Sequence, residues 1–546
     1  MKEYKRIKDP IYGYIKVPTE YMTEIVDTAN FQRLRRIIQT SYSPLYSSAL
    51  HNRFVHSMGV YYLGDMASKQ LISEIANKKD IKTINMDLDK YGEIFKLACL
   101  LHDVGHAPFS HTGESFYLGE DRDYNEIHNK LSDVISSEEF KRDIPVNKSL
   151  WAAPHEIMSS IIGVMQYKKF MKNTEEKEFF ARCITGYKYS SNTLENSIKN
   201  CFVSLLNSKV IDVDKLDYLI RDAYVTGFDT VNIDFERLLT SITVLFTEQG
   251  DCEVAYYKNA ISVIENVVYA HDAERKWIQT HPIVLYEGYI IQHIISYLDE
   301  QTRDGDKKLF SLNSLLKEGV ELKDNLFISL LCDDDIIFLI KNFYRNELGI
   351  EFFERRERRH PVWKSEAEYK AFLLGLVEGG MVLNRFEKAM DTTSKYLTKS
   401  TESWVIDEEL IKKLEDEIKK LEDIQDIQTK NVQIEDKDLI LKVMHSLQNY
   451  AKEKDIECNF VIIKASQFNS GFGKPDFSKI KIIFKTNKNE EYVNFGDIVS
   501  SLKAKEKERD DFFYLFYKRK DSEEKVNIKN IDNKELCERL IRDVAF

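Results

Sequence analysis

The stretch EIFKLACLLHDVGH, residues 93–106, sets the strongest condition on the fold. Apolar residues recur at helical spacing from Glu93 to His102, densely enough to place that helix in a core. The helix ends on His102 with Asp103 directly after it, and Gly105 and Pro108 break the chain just beyond. Burying an imidazole beside a carboxylate costs free energy unless something cationic pairs the carboxylate. A divalent metal ion does that. The pair alone is weak evidence, since two-residue matches occur by chance, and its weight depends on what the rest of the chain brings to this helix end.

The rest of the chain suits a helical frame. Only 21 Gly and 9 Pro occur in 546 residues, and 43% of residues are apolar. Such a composition favours long helices around a sizeable core and excludes collagen-like or low-complexity chains. Residues 11–17 read as a short strand-like opening with a turn at Gly13. Helical patterns cover Tyr21 to Ile38, Arg53 to Ala76 and Glu93 to His102, and helices continue to about Glu300. Residues 301–400 read as helical and highly charged, with the run Glu354 to Arg359 as a solvated face. Glu408 to Asp423 is a Lys/Glu helix with i, i+4 pairs. After Cys458 the segments NFVIIKASQF, KIKIIFKT, EEYVNF and DFFYLFYKR read as strands. SGFGKP at 470–475 lacks the ending of a phosphate loop and closes on Pro475, so it reads as a hairpin turn. The expected architecture is mainly α: an all-helical core over 1–300, a helical extension over 301–400, and a smaller C-terminal helical and mixed α/β domain over 401–546.

Lys and Arg number 78 against 90 Asp and Glu, a net charge of −12. That balance counts against a large nucleic-acid groove, so a phosphate ligand should meet a local basic pocket. No apolar run approaches a membrane span, and residues 1–10 show no secretory pattern. The seven cysteines are odd in number and form no CxxC pair. They read as reduced thiols of a cytoplasmic protein.

Histidine is concentrated between positions 51 and 155: His51, His56, His102, His106, His111, His128 and His155. His56 stands in HNRFVHSMG, and Asp214 in DVDKLDY at 212–218. Each alone is most simply a buried polar residue. Together, two neutral imidazoles from His56 and His102 and two carboxylates from Asp103 and Asp214 suit a borderline divalent ion such as Mn, Fe, Co, Ni or Zn. Four protein ligands leave positions open for water and a phosphate oxygen.

This ordered H…HD…D pattern resembles the HD-domain superfamily of metal-dependent phosphohydrolases. More narrowly the chain is similar to the dNTP triphosphohydrolase branch, which includes the vertebrate sterile-alpha-motif/HD dNTPase and bacterial dGTPase-like proteins. The supporting segments are KDPIYGYIKV (8–17), DTANFQRLRRIIQTSY (27–42), HNRFVHSMGVYYLG (51–64), LLHDVGHAPFSHTGE (100–114), His155-Glu156 and DVDKLDYLIRDAYVTG (212–227).

The resemblance implies hydrolysis of a dNTP to deoxynucleoside and inorganic triphosphate by water attack at the α-phosphate. It implies His56, His102, Asp103 and Asp214 as metal ligands, for Mn, Fe, Ni, Co, Zn or Mg, with additional Mg on the triphosphate. Arg53 and Lys215 take the place of phosphate binders. His106, His111, His155 and Glu156 take the acid–base places, where water loses a proton and the departing oxygen gains one. Glu156 would orient His155. Gln39, Tyr218 and Asp222 fall at sugar contacts. Lys8, Asp27, Gln32 and Arg35 fall at an allosteric nucleotide site, which would accompany a homo-oligomer, dimer or tetramer. Arg275, Lys276, His281 and Tyr286 are candidates for a triphosphate grip, but their spacing does not match. Two other readings keep the same residues: an HD-type nuclease or other nucleotide phosphodiesterase, and a non-catalytic nucleotide sensor.

Overall fold

A computed structural model describes residues 3–41, 44–78, 86–118, 124–228, 232–246, 251–343, 347–373, 380–399, 404–422, 427–454, 458–465, 475–485, 490–499, 512–519 and 531–545. The SGFGKP turn lies, apart from Pro475, outside them. The chain is mainly helical and divides into two units. The first comprises residues 1–275, 299–338 and 469–506, and the second 276–298, 339–468 and 507–546.

The first unit opens with a hairpin, β1 (Tyr4–Asp9) against β2 (Gly13–Pro18). Gly13 takes φ +76 at the turn, a conformation glycine adopts without steric cost. Six helices follow that build the site: α1 (Arg53–Asn77), α2 (Leu88–Leu101), α3 (Pro154–Gln166), α4 (Thr174–Thr185), α5 (Leu194–Leu206) and α6 (Val213–Thr226). α1 packs on α2 and α6, and α4 packs on α2 and α3. α2 buries Ile94, Phe95, Leu97, Ala98, Leu100 and Leu101, so its C-terminal end does lie in the core.

Two expectations fail here. Tyr21 to Ile38 is not one helix. It breaks into short turns over Thr19–Tyr21, Met22–Val26, Ala29–Gln32 and Arg33–Arg36. Tertiary contacts override propensity, because Arg33 is buried and its guanidinium donates to the carbonyls of Leu331, Val104 and His106. Nor are residues 240–257 helical. β3 (Ile242–Phe246) and β4 (Cys252–Tyr257) form an antiparallel hairpin. β4 also pairs in parallel with the strand Lys481–Lys485, which pairs in turn with Glu490–Asn494. The core is therefore helical with a four-stranded sheet attached, two of whose strands come from the C-terminal part of the sequence.

The second unit sets the helix Gly380–Lys399 on a sheet of Cys458–Ala465 and Phe512–Arg519, with His360–Pro361 on its other edge. Glu408–Glu422 and Asn533–Ala545 pack on the long helix Ile427–Glu453. Cys99, Cys183, Cys201, Cys252, Cys332 and Cys537 are buried and free. Among the described residues no helix is long and apolar enough to cross a membrane.

Candidate metal and acid–base site

Helix ends position the first donor group. Asn52 caps α1, accepting from the Val55 N–H, and His56 follows one turn in. Asp212 caps α6 by accepting from the Lys215 N–H at 2.7 Å, which places Asp214 in the first turn. His102 is the C-terminal cap of α2. His56 Nε2 lies 3.0 Å from Asp214 Oδ1 and 3.3 Å from His102 Nε2. His102 Nε2 lies 3.7 Å from Asp214 Oδ1 and 3.5 Å from Asp103 Oδ1.

The donor chemistry fits a metal ion. His102 Nδ1 faces the Cys99 carbonyl at 2.9 Å, and a carbonyl only accepts. The ring proton therefore sits on Nδ1 and the Nε2 lone pair faces the cluster. His56 Nδ1 donates likewise to Asp217 Oδ2 at 2.7 Å. Two lone pairs that face each other at 3.3 Å cannot satisfy one another. Burial lowers the His56 pKa, yet hydrogen bonds to Asp214 and Asp217 lift it to about 10. The surroundings thus require positive charge at this point, and either a proton or a bound ion meets that need. Burial raises the Asp103 carboxyl, but Arg53 beside it, then His102 and His56, hold it well below the usual range.

A second donor group adjoins the first through the turn after Asp103. His106, His111, Glu114 and His155 converge, with ligating atoms within 4.8 Å of one another. Gly105 makes the approach possible. A Cβ there would stand 2.3 Å from the backbone N of Ser159, and its own N–H donates to Ser159 Oγ. His106 is fully buried, neither ring nitrogen has a hydrogen-bond partner, and its ring stacks on His155 at 4.3 Å. Burial first, then Arg53 and His155, push its pKa far down. His155 goes the other way: burial lowers it, but Glu114 raises it to about 9 through a 2.5 Å hydrogen bond. The stacked imidazoles thus have opposed proton preferences. His111 is exposed and reaches the other Glu114 oxygen at 3.3 Å.

Several candidate residues stand elsewhere than expected. Glu156 does not orient His155. Its carboxylate accepts from the Ala153 N–H, starting α3, and from the Asn207 side chain. Glu114, within a quoted segment but assigned no role, holds His155 instead. The tie spans 41 residues of sequence, beyond what local spacing shows. Arg53 donates to Asp103 Oδ2, Ser110 Oγ and the Gln39 carbonyl. Gln39 is buried and its side-chain oxygen has no partner. Lys215 donates to Ser208 O and Asp212 Oδ2. Asp222 is not exposed. It binds His51 Nε2 at 2.7 Å, with both side chains buried, so His51 joins the candidate site. Tyr218, half-buried, shares α6 with both Lys215 and Asp222. Lys8, Asp27 and Arg35 are exposed. The Gln32 amide is used at both ends, donating to Val26 O and accepting from Arg35 Nε, and Arg35 lies over the Phe54 ring. Tyr286, in the second unit, donates to Glu351.

This combination defines a class, a helical frame whose helix ends converge on a His/Asp cluster that could hold a metal ion, and the chain can be compared with known proteins on that basis. Residues 53–201 match the HD domain family model. An uncharacterized protein of Mycoplasma genitalium is 27% identical over 383 residues, covering 64% of this chain and 80% of that protein. The Dictyostelium discoideum homolog of deoxynucleoside triphosphate triphosphohydrolase SAMHD1 is 25% identical over 327 residues, 59% of this chain and 55% of its own. The crystal structure of a hypothetical protein from Aquifex aeolicus aligns with a TM-score of 0.51 at 16% identity, over 94% of this chain and 96% of that one, a likeness of fold alone. Other relatives at 29% and 27% identity, from Danio rerio over 240 residues and Gallus gallus over 343, are also named deoxynucleoside triphosphate triphosphohydrolase SAMHD1.

Proposed function

We propose that the protein hydrolyses deoxynucleoside triphosphates to deoxynucleoside and inorganic triphosphate, by attack of water at the α-phosphorus. The observation that carries this reading is the pair of adjoining donor groups: a His/Asp set fit for a divalent ion, and a His/Glu set in which burial disfavours the charged form of His106 while Glu114 favours that of His155. His56, His102, Asp103 and Asp214 would hold the ion. Such an ion acts as a Lewis acid toward phosphoryl oxygen and makes water a stronger acid.

The chain's own groups do the rest. Arg53 uses one hydrogen of each of its three nitrogens within the protein, so its terminal nitrogens each keep one for a phosphate oxygen. Lys215 keeps one ammonium hydrogen of three. Groups whose environments push their pKa values apart divide into acid and base. In this reading His155, whose charged form Glu114 favours, is the acid that protonates the departing 5′ oxygen. His106, whose charged form burial disfavours, is the candidate to accept a proton from water. His111 at the exposed edge shares Glu114 and closes the group. Gln39, Tyr218 and Asp222, with His51 behind Asp222, are the candidates to contact the sugar. The relatives named for dNTP triphosphohydrolase activity support this substrate class. Regulation by a nucleotide at Lys8, Asp27, Gln32 and Arg35 of a homo-oligomer belongs to the same reading. It has the exposure of Lys8, Asp27 and Arg35 in its favour.

The test is product analysis of purified protein with each dNTP and Mn or Mg. Triphosphate with deoxynucleoside is the expected outcome. Monophosphate products would instead establish a phosphodiesterase or nuclease on the same site, and no turnover would overturn the enzymatic reading.

A further inference from the structure

Behind His56 lies a buried charge network that reaches the first strands of the chain. Asp217 accepts from His56 Nδ1 on Oδ2, and Arg221 holds the same carboxylate with two bonds, Nε to Oδ2 at 2.9 Å and Nη2 to Oδ1 at 3.0 Å. The remaining partners come from the hairpin, more than 200 residues away in sequence. Tyr12 OH donates to Asp217 Oδ1 at 2.8 Å, and Asp9 Oδ2 accepts from Arg221 Nη1 at 3.1 Å. Asp9 Oδ1 accepts the N–H groups of Ile11 and Tyr12, so one carboxylate both shapes the hairpin turn and meets Arg221. Asp9, His56, Asp217 and Arg221 are each at most 4% exposed. At Gly59 α1 lies directly against this network: a Cβ there would stand 1.8 Å from Asp217 Oδ1.

We propose that the β1–β2 hairpin is part of the metal centre, with Asp9 and Tyr12 as positioning residues that act on His56 through Asp217 and Arg221. This rests on the reading of His56 as a metal ligand. The electrostatic argument gives the direction. Asp217 and Arg221 alone would cancel. Asp9 adds a second carboxylate to the one guanidinium, leaving one net negative charge behind the imidazole. In a dry interior that charge makes His56 a better donor to a cation. Tyr12 contributes geometry: with its donor in place, each Asp217 oxygen accepts two bonds, and the carboxylate cannot rotate away from the ring. Its own ring is fixed against Tyr62 at 5.0 Å and Phe235 at 5.3 Å. Tyr12→Phe therefore removes the donor and keeps the packing.

The test measures Mn affinity of the full-length chain by titration after chelation, beside the thermal midpoint of the chelated protein. Loss of a partner behind a ligating histidine typically weakens metal binding roughly 10–100-fold. Asp9→Asn and Tyr12→Phe are each expected to raise the Mn dissociation constant about tenfold. Ile15→Val, a change in the same hairpin at a fully buried position, is expected to lower the midpoint and leave Mn affinity unchanged, which separates positioning from mere stability. Wild-type Mn affinity in both Asp9→Asn and Tyr12→Phe, or an equal loss in Ile15→Val, would overturn the proposal. A wild-type chain that binds no divalent ion would instead overturn the metal reading itself, a different and recognisable failure.

Discussion

Glu114 decides the proton chemistry of the second donor group. It is the group that lifts His155 to about 9 against the effect of burial, and the two histidines in turn hold its own carboxyl well below the usual range. The folded pKa of His155 lies above its unfolded value of about 6.5. The pair therefore stabilises the fold fully below that value, and the contribution is lost as pH rises through about 9. Activity that needs protonated His155 falls over the same range. Glu114→Gln removes the raising charge, so the alkaline limb of the rate profile should move toward about 6.5, with kcat at neutral pH down roughly 10²-fold. A profile between about pH 6 and 10 checks this, and an unmoved limb removes His155 as the acid. Lys215→Ala should behave differently. Losing a charge-assisted phosphate contact costs roughly 2–4 kcal/mol in the transition state, about 10²–10³ in rate. Metal content should stay at wild-type level, which elemental analysis reads alongside the kinetics.

At the scale of elements, the turn after α2 carries Asp103, His106, His111 and Glu114, and its packing is exacting. Phe109 and Ser110 both take φ 55, a sparsely populated region for residues with side chains. Contacts from distant parts of the sequence hold them there: Asp333 accepts from the Phe109 N–H, and Ser110 Oγ is shared with Arg53 and the Ile38 carbonyl. Gly105→Ala would drive a methyl group into the backbone of α3 at Ser159 and Met158. The expected cost is about 1–3 kcal/mol by denaturant unfolding, with His155 displaced and turnover lost. Wild-type stability and rate in that variant would show that the turn is looser than its contacts imply. The same turn shows where sequence reading stops. The apolar helix and its terminal His-Asp pair were readable because period and burial are local. The C-terminal strands were readable from alternation and β-branched residues. The pairing of His155 with Glu114 rather than Glu156, of Asp222 with His51, and of Arg33 with three carbonyls was not, because each is made by folding across tens or hundreds of residues. The strands β3 and β4 were missed for a related reason. β4 is paired on both sides, once by a strand more than two hundred residues later, and no local signal announces that partner.

For the molecule as a whole, the site ties together parts of the first unit that are remote in sequence. His56 and Arg53 come from α1, His102 from the end of α2, Asp214 from α6, and Asp9 and Tyr12 from the opening hairpin. An ion bound among these groups binds only the folded arrangement, so it stabilises that unit by mass action. At a free metal concentration of a hundred times the dissociation constant, the gain is about 2.7 kcal/mol. For a body of this size that is a rise of several degrees in midpoint. Chelation should therefore lower the transition in which the first unit unfolds and leave the rest of the melting profile in place, since the second unit contributes none of the proposed ligands. Replacing His102 and Asp103 together by Ala should abolish the metal-dependent shift and the turnover at once, because two ligands of one ion act as a unit rather than additively. Calorimetry of both proteins with and without Mn makes the comparison. A double variant that still gains several degrees from Mn would place the ion elsewhere in the chain, and the second donor group around Glu114 would be the next position to examine.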